Sequence, residues 1–345
     1  MRLSLIISLL LLPSVAPRMA PYPHTFSYRV IAAQSPPQNP VQTPPQNQEK
    51  PTQKPPQDQD EAIRLTSRLV AVPLSASDAS GNPVRDLSAQ DFVIEEAGRP
   101  QTIVSLGEPG KVPTEIALLF DVSGSVQGQF TFEQQAAVRF IKQVLKPGDA
   151  VSVFSIGTKP KLVNTRTTNG EEATTGLMSI VPIREPTAFF DTVVEAALYV
   201  GKTAEPGSRR VLVVISDGEE NYSEHYKIAD AQRELQKNDC LFYSINPSGS
   251  SLNLNQMSIK GQGFMESMSA QTGGKAFVPE KTTDLEAVFH QIAEELKAQY
   301  LLGYYSTDER ADGGFRPITV RAPKRPDLRV RARQGYYAPN PTAKP

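Results

Sequence analysis

The chain has 345 residues, a formal net charge of −1 and 39% apolar residues. That length leaves room for two domains beside a leader and a linker, and the near-zero charge excludes a global attraction to nucleic acid or to an anionic membrane. The single cysteine, Cys240, excludes an internal disulfide. With no CxxC and no basic cluster beside it, Cys240 reads as a small core hydrophobe in the strand Cys240-Leu241-Phe242-Tyr243-Ser244-Ile245.

In chain order, Arg2 followed by the apolar stretch Leu3 to Leu12 has the pattern of a secretory signal and is short for a membrane span. A leader is therefore expected over residues 1–33, with cleavage left open between Ser14-Val15-Ala16 and Ile31-Ala32-Ala33. No later segment approaches the length of a span, so the mature protein is expected to be secreted or periplasmic, without an integral membrane segment. Residues 34–60 are dominated by Pro and Gln, bury almost nothing, and read as an extended spacer.

Residues 61–108 change character. Ile63, Leu65, Leu69-Val70-Ala71-Val72, Phe92-Val93-Ile94 and Thr102-Ile103-Val104 read as strands, with a helical turn capped at Ser88-Ala89-Gln90-Asp91. A few strands cannot bury a face alone. Their expected partners are the period-two strands of residues 299–338, which begin at Tyr300-Leu301-Leu302-Gly303-Tyr304-Tyr305 and continue through Ile318 to Arg321 and Leu328 to Arg333. The stripe Arg329, Arg331, Arg333 reads as the solvated face of an edge strand rather than as a nucleic-acid surface.

Between these halves, residues 112–298 alternate strands and helices, which implies a doubly wound, mostly parallel α/β sheet inserted into or flanked by a small β-sandwich. Phe132, Ala136, Phe140 and Val144 share one helical face, and Val151 to Ile156 is the next strand. Leu162 to Thr168 is expected as an antiparallel edge, followed by helices over Glu171 to Ile180 and Phe190 to Val200, the latter with Val193, Val194, Ala197 and Leu198 inward. Ser250 to Gly263, polar and glycine-bearing, is expected to be a flexible loop.

The chain is organised around Asp121-Val122-Ser123-Gly124-Ser125, directly after the apolar run Ile116-Ala117-Leu118-Leu119-Phe120. Such a run reads as a buried parallel strand, which places the pentapeptide at the strand's carboxyl end, where open α/β sheets bind ligands. Oxygen donors at every second position, without His or Cys, suit a hard divalent cation, magnesium best. This motif resembles the metal-ion-dependent adhesion site of von Willebrand factor A domains, whose first element is Asp-x-Ser-x-Ser. Two further stretches match in order. Pro186-Thr187-Ala188-Phe189-Phe190-Asp191 is similar to the loop that carries the family's threonine. Val211-Leu212-Val213-Val214-Ile215-Ser216-Asp217-Gly218 is similar to its second aspartate motif. Where the family pattern has two glycines before the threonine, this chain has Glu185 and Pro186. The layout resembles bacterial secreted VWFA-related proteins of the acidobacterial type.

What the resemblance implies is a site of Asp121, Ser123, Ser125, Thr187 and Asp217 holding Mg²⁺, or Mn²⁺ or Ca²⁺, with the hydroxyls binding directly and one or both aspartates acting through water. Two carboxylates balance one divalent ion, and an ion with mainly neutral direct ligands stays electrophilic. The family chemistry is then adhesion: a protein partner supplies a carboxylate as the remaining ligand. Glu219, Glu220 and Asn221 are placed on the same rim or in a solvated loop. An envelope-assembly or chaperone-like subunit would use the same site. A hydrolase is the remaining class; it has only His225 near the loops, no nucleophile elbow and no glycine-rich phosphate loop, so no enzymatic role is expected.

Overall fold

The structure is a computed structural model that describes residues 69–123, 129–183, 185–249 and 256–340. The expected leader, the spacer, Ile63 and Leu65 lie outside the described residues.

Alternating apolar residues make strands with one wet face. The first are β1 (Leu69–Ser77), β2 (Val93–Glu96), β3 (Arg99–Gln101) and β4 (Ile103–Gly107). Before β2 the expected helical turn forms at Ala89–Asp91, where the amide and hydroxyl of Ser88 both donate to the Asp91 carboxylate at 2.8 Å. A continuous apolar run then gives β5 (Thr114–Asp121), buried at every position. Its side chains divide by parity: Ile116, Leu118 and Phe120 join one core, Ala117 and Leu119 the other. A strand that buries both faces needs helices on both sides.

Those helices follow in alternation with strands: α1 (Phe130–Val144), β6 (Ala150–Ile156), β7 (Lys161–Thr167), α2 (Gly170–Met178), α3 (Phe189–Thr203), β8 (Arg209–Ile215), α4 (Ile228–Lys237), β9 (Cys240–Ile245), α5 (Gln256–Thr272), β10 (Ala276–Phe277) and α6 (Leu285–Ala298). The sheet order is β10-β9-β8-β5-β6-β7, parallel except for the antiparallel edge β7. On one face α1, α2 and α6 contribute Phe140, Leu177 and Phe289; on the other α3, α4 and α5 contribute Val193, Leu235 and Met268.

The chain then returns to alternating strands, β11 (Tyr300–Tyr305), β12 (Phe315–Arg321), β13 (Arg329–Ala332) and β14 (Gly335–Tyr337). They pair with the first four in two antiparallel sheets, ordered β13-β1-β11-β4 and β14-β12-β2-β3. Register pairs such as Leu74↔Tyr300 and Val320↔Ile94 join residues from the two ends of the described chain. Both sheets bury Val72, Leu74, Ile94, Tyr300, Leu302, Tyr304 and Tyr336 in a third core. The α/β layer is thus combined with an antiparallel β-sandwich module, the fold class expected from the alternation.

Three expectations need correction. The stretch 250–263 is not a loop throughout, because α5 already begins at Gln256. Leu198 is 39% exposed, at the margin of the α3 face rather than inward. The arginine stripe is solvated only at Arg329: Arg331 pairs with Glu295, and Arg333, buried, pairs with Asp239. Glu295 also accepts from Ser75 at 3.1 Å and from Tyr243, so this buried acid links β1, β9, α6 and the segment after β12.

Candidate metal centre

The parallel register Phe120↔Ile215 puts the carboxyl ends of β5 and β8 side by side. Adjacent strands lie about 4.8 Å apart, so Asp121 and the Ser216-Asp217 pair leave the sheet as neighbours. Asp121 is 1% exposed and Asp217 2%. The Ser216 hydroxyl donates to Asp121 Oδ2 at 2.5 Å, and the Ser123 amide to Oδ1 at 2.8 Å. Asp217 Oδ1 accepts from the Glu219 amide at 3.1 Å. Burial first, and the Asp217 charge second, push the Asp121 carboxyl up to about 6, against hydrogen bonds from Ser216 and Ser123 that favour its ionised form.

Thr187 comes from a different part of the sheet edge. Its loop is pinned on one side by the Ile183 amide on the Val122 carbonyl, 2.9 Å, and on the other by the Ala188 amide on the Gly157 carbonyl, 2.8 Å. The Thr187 amide donates to Asn221 Oδ1 at 2.7 Å, and its carbonyl accepts from the amides of Asn221 and Tyr222. The residue is therefore clasped by the turn that follows Asp217, and it is 2% exposed. Pro186 fits because none of residues 185–188 takes a positive φ, so this loop makes no use of a glycine's freedom.

Of the expected donors, the structure brings Asp121, Ser123, Thr187 and Asp217 to one sheet edge, and Ser123 is 6% exposed. Ser125 lies outside the described residues. The acidic rim is not a row of free carboxylates. Glu220 accepts from the amides of Phe190, Tyr222 and Ser223 at 3.0, 2.9 and 2.8 Å. Glu219 accepts from the Ser258 hydroxyl of α5 at 2.6 Å. These residues brace the loop, and Asn221 holds Thr187.

Other residues of the site escape a motif reading. Ser216 is one, since a serine before the aspartate has no distinctive spacing. Asp191 is another: it accepts from the amides of Glu224, His225 and Tyr226 at 3.0, 3.2 and 2.9 Å, which fastens the loop to α3. The His225 ring lies 3.2 Å from the same carboxylate with its side chain 73% exposed. Glu133, in the first turn of α1, is 1% exposed, and its Oε2 has no hydrogen-bond partner among the described residues. Its carboxyl is pushed up to about 8 by burial, then by Asp121 and Asp217. The signal was present: Glu133 sits on the helical stripe of Ala136, Ala137 and Phe140, where an acid is out of place.

Behind the site, Gly218 turns with φ +73°, and Gly261 of α5 packs against it so closely that a Cβ there would lie 2.3 Å from the Gly218 carbonyl oxygen. Among the described residues no group of three or more His, Cys, Asp or Glu is arranged as a metal cluster. The donor set at the sheet edge is instead two carboxylates with hydroxyls, an all-oxygen set that fits a hard cation. The buried Asp121 carboxyl, whose proton affinity burial and the Asp217 charge raise, fits a missing positive charge as well.

Residues 114–267 match the model of the von Willebrand factor type A domain. No curated protein matches the chain as a sequence. Similar solved structures include an aerotolerance-related membrane protein from Bacteroides fragilis, 18% identical over 53% of this chain and 98% of that one, with a TM-score of 0.41. Another is proximal thread matrix protein 1 from the mussel byssus, 14% identical over 59% of this chain and 51% of that one, TM-score 0.46. A third is the vWF domain of the type V pili tip protein Mfa5 from Porphyromonas gingivalis, 13% identical over 53% of this chain and 94% of that one, TM-score 0.41. The stretch of residues 114–267, which contains the β5 and β8 edge just described, is thus similar to a von Willebrand factor type A domain.

Proposed function

We propose that this chain is a protein-binding module, not an enzyme, which holds a divalent cation on Asp121, Ser123, Ser125, Thr187 and Asp217 and takes an acidic residue of a partner protein as the ion's remaining ligand. Mg²⁺ suits the donors best, with Mn²⁺ or Ca²⁺ as substitutes. The observation that carries the reading is the burial of Asp121 and Asp217 side by side at the ends of β5 and β8, with Thr187 clasped to the turn after Asp217. Two like charges held out of water in this way destabilise the fold until a cation joins them.

A divalent ion held by two carboxylates and neutral hydroxyls is close to neutral overall and keeps an electrophilic face, which favours an incoming carboxylate over a cationic or neutral group. The place of action is secreted or periplasmic. Supporting that address are the apolar stretch Leu3 to Leu12 after Arg2, and the lack, among the described residues, of a helix long and apolar enough to cross a membrane.

The test is a pull-down from envelope extract by the full chain in Mg²⁺, in chelator, and with Asp121→Ala. A partner retained only in Mg²⁺ and only by the unsubstituted chain supports the reading. Equal retention in chelator, or by Asp121→Ala, overturns it. Release on adding chelator marks reversible adhesion, whereas a complex that survives chelation once formed marks permanent assembly and contradicts the exchangeable carboxylate.

A further inference from the structure

A cavity of about 660 Å³ opens between the sandwich and the α/β layer, where β1 and β13 face α6 and the segment before β10. That volume falls within the roughly 300–1,000 Å³ of small-molecule sites. None of the candidate metal donors lines it. Its walls carry Lys275, Arg329 and Arg331 together with the acids Glu294 and Glu295.

The two acids are already engaged. Glu294 accepts from Arg85 at 2.9 Å and from Lys297 at 3.0 Å. Glu295 accepts from Ser75 at 3.1 Å, from Tyr243 and from Arg331. Asp78, in the turn on the cavity rim, spends its carboxylate on the amide and side chain of Asn82, at 2.9 and 3.1 Å. The cations are less well served: among the described residues neither Lys275 nor Arg329 has an ion-pair partner. Five basic groups, Arg85, Lys275, Lys297, Arg329 and Arg331, share the carboxylates of Glu294 and Glu295, an excess of three positive charges.

The geometry gathers these charges. Residues two apart on a strand share a face, so Arg329 and Arg331 leave β13 together, across from Ser77 and Ser75 of β1. Arg331 donates to the Gly274 carbonyl at 3.4 Å, which sets its guanidinium against the peptide bond leading to Lys275. The Lys275 ammonium lies 4.5 Å from the centre of the Phe277 ring, an aromatic face where a carboxylate would be stronger. Burial first, and the Arg331 charge second, hold that ammonium below its usual range, with Glu295 opposing.

We propose that this cavity is a binding site for a small organic polyanion, one that carries phosphate or carboxylate groups. Lys275 from the α/β layer and Arg329 from the sandwich meet its anionic oxygens, while Arg331, tied to Glu295, holds the wall between them. Charge-assisted bonds of this kind are short and strong, and the arginine fork matches the edge of a phosphate or carboxylate. The space exceeds a bare phosphate ion, so the ligand has an organic body, to which the hydroxyls of Ser77 and Ser80 offer hydrogen bonds.

The experiment uses the full chain stripped of metal, so that no bound cation takes part, titrated by calorimetry with citrate, with glucose 6-phosphate and with uncharged glucose. Saturable binding of citrate or glucose 6-phosphate is expected with a Kd of about 1 mM or tighter, and no binding of glucose. Whichever of the two anions binds more tightly identifies the charged group. Lys275→Gln and Arg329→Gln are each expected to weaken that binding about tenfold, the loss that goes with one charge-assisted hydrogen bond. Lys161→Gln, on β7 at the other edge of the six-stranded sheet, is expected to leave it unchanged. Arg329 is exposed, so Arg329→Gln reads the site even where Lys275→Gln fails to fold. No saturable binding of either anion, equal binding of glucose, binding that Arg329→Gln leaves unchanged, or binding that Lys161→Gln weakens as much overturns the inference.

Discussion

Gly261 offers a sharp test of how the site is supported, because helix propensity and packing predict opposite signs for Gly261→Ala. In the interior of a helix, replacing glycine by alanine stabilises by about 0.5–1 kcal/mol when space allows. At Gly261 the new Cβ would meet backbone: the Gly218 carbonyl oxygen at 2.3 Å, its carbon at 2.4 Å and the Asp217 carbonyl oxygen at 2.9 Å. None of these is a side-chain tip that can swing away, so α5 or the Asp217 turn must move. Overpacking of that kind costs about 1–3 kcal/mol, which offsets the helical gain and leaves a net loss of up to about 2.5 kcal/mol. Gly263, two residues on in the same helix, has nothing within 4 Å of its Cβ position, so Gly263→Ala is expected to stabilise by about 0.5–1 kcal/mol. Urea unfolding of both variants, metal-free, measures the two signs directly. Stabilisation by both substitutions would refute the close approach of α5 to the Asp217 turn.

Three other expectations follow from the same geometry. The metal-free protein is expected to gain stability as the pH falls: with folded values of about 6 for Asp121 and about 8 for Glu133, both above their ordinary range, the penalty is fully present above pH 8 and is relieved as the pH drops through 8 and then 6. The rise at Asp121 corresponds to about 3 kcal/mol; melting curves at pH 5.5 and 8.5 should show the gain, Asp121→Asn and saturating Mg²⁺ should each reduce it, and an opposite slope that Asp121→Asn leaves unchanged would contradict the assignment. Asp191→Ala removes the acceptor for the amides of Glu224, His225 and Tyr226 and is expected to cost about 2–4 kcal/mol and to open residues 219–226 to limited proteolysis. Arg331→Met strands the buried Glu295 and is expected to cost about 1–3 kcal/mol in urea unfolding, discounted for the part-exposed guanidinium; no loss would mean that the pair does not brace the β-sandwich against the α/β layer.

The parts of this molecule that could be read from sequence are those whose signal is local. The all-apolar runs of β5 and β8 announce strands buried on both faces, and an aspartate at the end of each marks the sheet edge. The period-two strands at the two ends of the described chain could be paired because neither set can bury a face alone. The parts that could not be read depend on what packs against what. Gly261 in a polar stretch looks the same in a loop as in a helix pressed against a neighbouring backbone, and only the fold separates the two. Leu198 follows the periodicity of its helix but is 39% exposed, outside the core that Val193, Val194 and Ala197 join. Arg331 and Arg333 alternate like a solvated edge, yet the edge runs beside the α/β layer, where Glu295 and Asp239 wait. Asn221 and Asp191 hold the site through backbone amides, a role that leaves no motif. Glu133 alone was within reach, as an acid on an apolar stripe.

The central claim is that a cation sits between the ends of β5 and β8. Anomalous diffraction from crystals of the full chain grown in Mn²⁺ measures this most directly. The account predicts one strong peak at that edge, about 2.0–2.6 Å from the Ser123 hydroxyl and flanked by the Asp121 and Asp217 carboxylates. A structure at saturating Mn²⁺ with no peak between those aspartates would contradict it.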